Sequence, residues 1–200
     1  MKLNAPLILS LLVVGIWPQL LHANTPEQVP SPATSGFLLI ASQQMSDPRV
    51  RETVIVVGKH GDSGHIGVVV NRPQDVTLDE VFPDFPTAGK FKLFAGGPVY
   101  PQQLFYLARG ADAVKGALLL SENIYLAFDP LELGELLSGK KRYKDLRVVN
   151  GMASWAPGQL EHEIKVGGWH VMPIDDVAIF DRPPTGMWKE LILRATSIKI

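Results

Sequence analysis

The stretch NGMASWAPGQLEHEI, residues 150–164, concentrates side chains that could bind a ligand or carry out chemistry. Trp155 offers a ring for stacking, while Gln159 and Glu161 offer hydrogen-bonding groups, so these three could line a pocket. Glu163 adds a second carboxylate, but acid–base chemistry at one bond needs two carboxylates that converge. Residues two apart on a helix project in different directions. We therefore expect no catalytic pair here.

The same stretch also fits a purely structural role. Pro157-Gly158 is a turn signal, and the residues that follow, 159–165, predict a helix of about two turns. Leu160 and Ile164 would share the face of that helix that packs on the core. Trp155 would cover core atoms while its indole N–H reaches an acceptor. We favour this turn and helix over an active site.

A second candidate is Asn71-Arg72-Pro73, which follows the apolar run HIGVVV. Arg72 presents a planar fork suited to a carboxylate or phosphate, and Asn71 can both donate and accept hydrogen bonds. The alternative is that Asn71 ends a strand, Pro73 prevents its continuation, and Arg72 pairs with an acidic residue of the fold. The structural ion pair is the default interpretation, and ligand binding by Arg72 is the minority one.

The pair Gly96-Gly97, followed by Pro98-Val99, could bring a ligand close to the backbone, whose N–H groups could hold an anion. The segment lacks the Lys-Ser/Thr that follows the glycines of a nucleotide phosphate loop. A tight turn at the end of a strand is the preferred interpretation.

The loop between two apolar runs contains His60, Asp62 and His65, residue types that can bind zinc. Its glycines and Asp-Ser pair also predict a hairpin reversal, which is preferred because no second cluster completes a coordination sphere. The chain has no cysteine, and Ser154 lacks the flanking glycines of a hydrolase nucleophile elbow. The sequence therefore predicts no catalytic residue, no metal site and no cofactor.

Charge gives little support for nucleic acid as a partner. The 200 residues carry a formal net charge of −1, so such binding would need a local patch. The basic run KKRYK, residues 140–144, could bind phosphates, with Tyr143 available for stacking. Its net positive charge is reduced by the nearby acids Glu132, Glu135 and Asp145. We therefore favour a solvated loop between a helix and a strand.

The N-terminus has the order of a secretory signal. Lys2 precedes an apolar run from Leu7 to Leu21, and Ala23 follows as a small residue suited to cleavage. Residues 1–23 are predicted to be a signal peptide that directs the chain to the periplasm or outside the cell. The alternative is an uncleaved membrane anchor, although the run falls short of the roughly 20 residues that span hydrocarbon. Residues 24–35 predict a Pro-rich linker.

One domain, residues 36–200, is predicted to follow, because its strand and helix signals form one continuous series. Seven short apolar runs predict strands: GFLLIA, TVIVVG, HIGVVVN, FKLFAG, QLFYLA, NIYLAF and LRVVNGMA. Further helices are predicted after Thr77, after Asp129 as far as Gly139, and over Met187 to Arg194. Helices and strands do not alternate regularly. The pattern favours a single compact α+β domain with a curved, mainly antiparallel sheet flanked by a few helices.

These segments resemble the YqgE/AlgH family, also called domain of unknown function 179. The resemblance rests on GFLLIASQQMSDPRVRETVIVVGKHGDSGHIGVVVNRP, FAGGPV, GMASWAPGQLEHEI and GGWHVMP in this order, from about Gly36 to Trp188. It implies a barrel-like sheet and a suggested role in transcriptional regulation. It brings no catalytic residue and no cofactor.

Two functions fit these observations. The preferred one is an exported, non-enzymatic domain that binds a small ligand or a protein partner. The other is a transcriptional regulator that acts in the cytoplasm through nucleic acid or a regulatory protein, and export would separate the chain from both. The candidate pocket residues are Asn71, Arg72, Gly96, Gly97, Trp155, Gln159 and Glu161.

Overall fold

The computed structural model of the chain describes residues 36–85, 88–112 and 114–197. The predicted signal peptide, residues 1–23, and the predicted linker, residues 24–35, lie outside the described residues. Within the described ranges, every helix is too short or too polar to cross a membrane.

The described residues form ten strands and four α-helices. The strands are β1 (Phe37–Ala41), β2 (Val54–Lys59), β3 (His65–Val69), β4 (Pro73–Thr77), β5 (Lys92–Ala95), β6 (Val99–Arg109), β7 (Leu118–Ser121), β8 (Ile124–Ala127), β9 (Asp145–Trp155) and β10 (Trp169–Pro173). The helices are α1 (Leu78–Val81), α2 (Pro130–Leu137), α3 (Gln159–Lys165) and α4 (Met187–Ser197). All seven predicted strands and all four predicted helices are present.

The strands form one curled sheet. Its main path runs β10-β1-β2-β3-β9-β6-β8-β7, with every neighbouring pair antiparallel, while β5 adds a parallel partner to β9 and β4 pairs with β5. The curl brings the last strand of the path back to the first strands, since the N–H of Gly36 donates to the carbonyl of Leu120 at 2.5 Å. The predicted α+β fold with a curved, mainly antiparallel, barrel-like sheet is confirmed as a curled half-barrel.

Three strands have no clear signal in the sequence, and each is an edge strand of the described sheet. β4 pairs only with β5, and its residues PQDVT are half-exposed or exposed. Pro73 is its first residue, a position where a missing backbone N–H costs no ladder bond. β7 and β10 lie at the two ends of the main path. Edge strands bury less apolar surface, so their sequences show weaker patterns.

The strands β1 and β2 are buried on both faces, which explains their continuous apolar runs. Leu38 of β1 belongs to the core inside the curl, where α4 contributes Leu191. Leu39, the next residue, faces the other side, beneath α3 and its Leu160. A separate cluster joins α2 to the outer face of β6 and β9. Helices α2 and α3 therefore cover the outside of the half-barrel, and α4 fills its inside.

The predicted helix ends are confirmed by their capping contacts. Thr77 and Glu80 form a capping box at the start of α1. The Asp129 side chain accepts the N–H of Leu131 at 2.8 Å at the start of α2. That helix ends before Gly139, whose φ of +76° lies in the left-handed region.

The chain crosses over β9 between β5 and β6. Strand β9 has β5 and β3 on one side and β6 on the other, so the link from β5 to β6 must pass across it. Gly96 and Gly97 make this crossing, and a Cβ on Gly97 would lie 2.2 Å from the carbonyl carbon of Met152. On the β9 side, a Cβ on Gly151 would lie 2.3 Å from the carbonyl oxygen of Gly97. The space beside these glycines is filled by the protein's own backbone.

Candidate ligand-binding cleft

A cleft of about 500 Å³ lies where the segment before β2 and the turn after β3 meet the start of α4. Its walls come from three short pieces of chain that are distant in sequence. The lining residues are Pro48, Arg51, Glu52, Asn71, Arg72, Pro184, Thr185, Gly186, Trp188 and Lys189. Two of the predicted pocket residues, Asn71 and Arg72, are therefore in this cleft.

Asn71 fastens the segment before β2 to the turn after β3. Its Oδ1 accepts the N–H of Val54 at 2.9 Å, and its Nδ2 donates to the carbonyl of Glu52 at 2.9 Å. Glu52 has a φ of +57°, which is unusual for a residue other than glycine. Both ends of the Asn71 amide are used to hold this backbone, so Asn71 shapes the wall of the cleft.

Arg72 holds the same segment through its guanidinium. It donates to the carbonyl of Arg51 at 2.7 Å and to the carbonyl of Arg49. The expectation of an ion pair with an acidic residue is wrong, because backbone carbonyls take that place among the described residues. Burial, with help from the nearby Arg51, lowers the pKa of Arg72 below its ordinary value, although Glu52 opposes the shift. The result is a half-buried cation fixed in one position.

The opposite wall is the start of α4. The indole N–H of Trp188 donates to the carbonyl of Ala41 at 2.7 Å, which ties the first turn of the helix to the end of β1. Lys189 is exposed beside it, and Thr185 and Gly186 precede the helix. These residues were not predicted as pocket residues, because nothing in the local sequence pattern around Trp188 distinguishes a cleft wall from an ordinary amphipathic helix.

The predicted residues Trp155, Gln159 and Glu161 lie elsewhere, around α3. Trp155 pairs with His65, the first residue of β3, whereas Arg72 lies beyond the last residue of that strand. The fold therefore does not bring these three residues to Arg72. Gly96 and Gly97 form a third location, the chain crossing over β9, in place of the expected tight turn.

The residues around α3 form a hydrogen-bonded network that fastens this helix to the sheet. One carboxylate oxygen of Glu163 accepts the indole N–H groups of Trp155 at 2.9 Å and Trp169 at 2.8 Å. Its other oxygen accepts the Gln159 amide at 2.9 Å. Burial alone would raise the pKa of Glu163, but these hydrogen bonds and His162 outweigh it and lower that pKa. The expected acceptor for the Trp155 N–H is thus confirmed, and it is a carboxylate about one turn into the helix.

His65 is separated from the exposed residues of the candidate zinc set, which the sequence favours less than a hairpin loop. His65 is only 4% exposed and contacts the ring of Phe37 edge-on, whereas His60 and Asp62 are exposed in the loop between β2 and β3. Within the described residues, no three His, Cys, Asp or Glu side chains are grouped as a metal site would require. The predicted hairpin reversal at this loop is confirmed by the antiparallel pairing of β2 with β3.

His65 should make folding pH-dependent. Neither ring nitrogen has a hydrogen-bond partner among the described residues, and Nδ1 lies 3.9 Å from Glu161. Burial lowers the pKa of His65 below its ordinary 6.5, against the attraction of Glu161 and with help from Lys59. The unfolded chain therefore binds the proton more readily, and stability should fall as pH drops below about 6.5.

We expect the His65→Leu variant to lose this decrease between about pH 7 and 5 and to be at least as stable as the parent at pH 8, since two buried nitrogens without partners are removed. Urea unfolding at each pH measures both effects. His60→Leu, the same substitution in the exposed loop, is the control. Parallel pH profiles for the parent and His65→Leu would contradict the expectation.

Two of the four basic residues in the run 140–144 are paired with acids. Lys141 binds Glu132 and also Glu135, at 3.3 Å, and Arg142 binds Asp112 at 3.2 Å. These contacts fit the predicted solvated connection between α2 and β9. They leave less free positive charge than the sequence run alone suggests.

Comparison with known proteins identifies relatives for most of the chain. The AlgH-like family profile (domain of unknown function 179) matches residues 38–198. A UPF0301 protein of Methylococcus capsulatus is 34% identical over 163 residues, which are 78% of this chain and 85% of that protein. A UPF0301 protein of Thioalkalivibrio sulfidiphilus is 31% identical over 170 residues, covering 81% and 91% of the two chains.

Two solved structures share the fold. The solution structure of the AlgH protein from Pseudomonas aeruginosa superimposes with a TM-score of 0.67 at 27% identity, covering 85% of this chain and 92% of that one. A crystal structure of a protein from Corynebacterium diphtheriae gives a TM-score of 0.68 at 24% identity, covering 80% and 86%. Such a likeness at low identity concerns the fold alone.

Proposed function

We propose that this chain, which belongs to the AlgH-like family, is an exported, non-enzymatic domain that binds a small ligand in the cleft around Arg72. The observation that carries the ligand site is the cleft itself, whose walls are fixed before any ligand arrives. Asn71 and Arg72 hold one wall, and the Trp188 indole holds the other. A preformed site loses little conformational entropy on binding.

Binding without catalysis is supported by the groups that line the cleft. Its ionisable side chains are Arg51, Glu52, Arg72 and Lys189. Arg72 is occupied with backbone carbonyls, and Glu52 is a single carboxylate. A hydrolytic or acid–base mechanism needs a nucleophile with its base or two cooperating acid–base groups. The lining fits recognition of a ligand better than its conversion.

Export is supported by the order of residues at the N-terminus, where Lys2 is followed by an apolar run and a small residue at Ala23. To test it, residues 1–40 are fused to a reporter that is active only after export, and the mature native N-terminus is identified by mass spectrometry. We expect reporter activity and a mature chain that starts at Asn24. An inactive reporter with Met1 retained would contradict export and favour the cytoplasmic regulator.

Ligand binding is tested by a thermal-unfolding screen of small metabolites of positive, neutral and negative charge. We expect at least one class to raise the unfolding temperature, since a ligand that binds only the folded state stabilises it by mass action. Thr185→Trp, which would fill the cleft from an exposed position, should abolish the shift. A screen in which no compound distinguishes the parent from this variant would contradict a ligand site in the cleft, and a protein partner would then be sought by pull-down.

A further inference from the structure

We infer that the ligand of the Arg72 cleft carries a carboxylate or phosphate group, held between the Arg51 side chain and the start of α4. This inference rests on the proposed function and adds the chemical class of the ligand. Three cations, Arg51, Arg72 and Lys189, line the cleft against one carboxylate, Glu52. The lining therefore has an excess of two positive charges, although the whole chain is close to neutral with a net charge of −1.

Two of the cleft cations, Arg51 and Arg72, differ from most other arginines of the protein in having no acidic partner in the part of the chain that the structure describes. Arg147 also has none there, but it is buried and donates to the carbonyl of Val70. Five arginines form ion pairs with aspartate or glutamate: Arg49, Arg109, Arg142, Arg182 and Arg194. Arg51, Arg72 and Lys189 form no such pair among the described residues. Three like charges with Glu52 as their single counter-charge in the lining repel each other, so an anionic ligand would relieve this repulsion and gain charge-assisted hydrogen bonds.

The fixed position of Arg72 strengthens the attraction for an anion. Its hydrogen bonds to the carbonyls of Arg49 and Arg51 orient the guanidinium but leave its full charge in place. Arg51 and Lys189 are exposed and can move toward a bound group. One cation is thus preorganised and two are adaptable, an arrangement that holds an anion without requiring one exact size.

The start of α4 adds backbone N–H donors, which carry a partial positive charge. The N–H of Met187 is bonded to the carbonyl of Pro184, but those of Trp188 and Lys189 form no hydrogen bond among the described residues. These groups lie at the positive end of an 11-residue helix. They complement the side-chain cations and would give an oxyanion directional contacts.

The test uses pairs of probes that match in shape and differ in charge. Phenyl phosphate, benzoate and the neutral benzamide are titrated into the purified protein at constant ionic strength, and NMR follows the Trp188 indole and the amides of Trp188 and Lys189. We expect one or both anions to shift these signals with saturation and benzamide to bind at least about tenfold more weakly. The relative affinities of phenyl phosphate and benzoate distinguish phosphate from carboxylate ligands.

The variants Arg51→Gln and Lys189→Gln should each weaken binding of the favoured anion about tenfold. Lys140→Gln makes the same change of charge at an exposed residue outside the cleft and should leave the affinity unchanged. Arg72 is not varied, because its loss would release the wall that it holds. The inference would be overturned if benzamide bound with the same affinity as the anions. It would also be overturned if Arg51→Gln and Lys189→Gln both bound the anion with the affinity of the parent.

The outcomes separate this inference from the proposed function. If neutral or cationic compounds from the thermal screen shift the Trp188 and Lys189 signals while anions do not, the ligand site stands and its anionic class is wrong. If no compound of any charge moves these signals, both the anionic class and the ligand site in the cleft are wrong.

Discussion

Replacement of Gly151 by alanine is expected to prevent stable folding. Gly151 lies in β9 at the point where the chain crosses from β5 to β6, and its φ is +74°. An added Cβ would lie 2.3 Å from the carbonyl oxygen of Gly97 and 3.2 Å from the Cα of Pro101. Both contacts are with backbone, so no side chain can rotate away. We expect the free energy of unfolding to fall by more than about 4 kcal/mol. The loss would be seen as insoluble protein or as a much lower urea concentration at the unfolding midpoint.

The control for this prediction is Gly139→Ala. Gly139 has nearly the same φ, +76°, but an added Cβ would meet nothing within 4 Å. The backbone strain is therefore shared, at about 1–2 kcal/mol, and only the steric clash differs. Folding of Gly151→Ala with a stability close to that of Gly139→Ala would show that the crossing strands can separate, and the explanation of the Gly-Gly-Pro-Val segment would be wrong.

Removal of the Arg109 charge is expected to have the second-largest effect. Arg109, at the end of β6, is only 2% exposed. Its guanidinium makes two hydrogen bonds to Asp181, at 2.9 and 2.6 Å, and others to Asp145 at 2.7 Å and Asp176 at 3.2 Å. The ring of Phe180 lies 4.9 Å from its centre. One buried cation thus joins the ends of β6 and β9 to the π-helical turn Val177–Asp181.

The variant Arg109→Met keeps most of the apolar stem and leaves three carboxylates together without their cation. We expect it to lose about 2–3 kcal/mol of unfolding free energy at pH 7, measured by urea denaturation, because the charge-assisted hydrogen bonds are lost while the three carboxylates keep contact with water. Arg109→Lys should recover only part of this, because an ammonium cannot form the two-pronged contact with Asp181. A loss below about 1 kcal/mol in Arg109→Met would contradict a structural role for this cluster.

The same variant should show a characteristic pH dependence. The hydrogen bonds from Arg109 lower the pKa of Asp181 below its ordinary 3.8. A carboxyl with a lowered pKa in the folded state stabilises the fold above its unfolded pKa and loses this contribution as pH falls through the folded value. The stability difference between the parent and Arg109→Met should therefore shrink as the pH falls below about 4.

The local pattern of the sequence was sufficient to predict most elements and the fold class. The seven apolar runs became strands because Val, Ile and Leu at consecutive positions can be buried only between two layers. Thr77, Asp129 and Gly139 marked helix ends because capping depends on contacts within a few residues. The edge strands β4, β7 and β10 were not predicted because each pairs with a single neighbouring strand and buries less apolar surface, so its sequence pattern is weaker.

The candidate site was predictable only in part. Arg72 and Asn71 were identified from residue type and position, and they do line the cleft. Their partners are backbone groups of residues 49–54, which no side-chain pattern could reveal. The opposite wall, with Trp188 and Lys189, is more than 100 residues further along the chain and was not foreseen.

The sequence by itself thus determined the family, the α+β class, the helix caps and the absence of cysteine chemistry, because each depends on residue identity or on neighbours along the chain. The tertiary structure decided which of the candidate residues meet. It placed Trp155 and Gln159 in the hydrogen-bonded network that fastens α3 to the sheet. It placed Gly97 at the chain crossing over β9, and Arg72 in a cleft with the start of α4. The physical reason is that strand order and sheet curl bring together residues far apart in sequence, and neither is encoded in the spacing of any one motif.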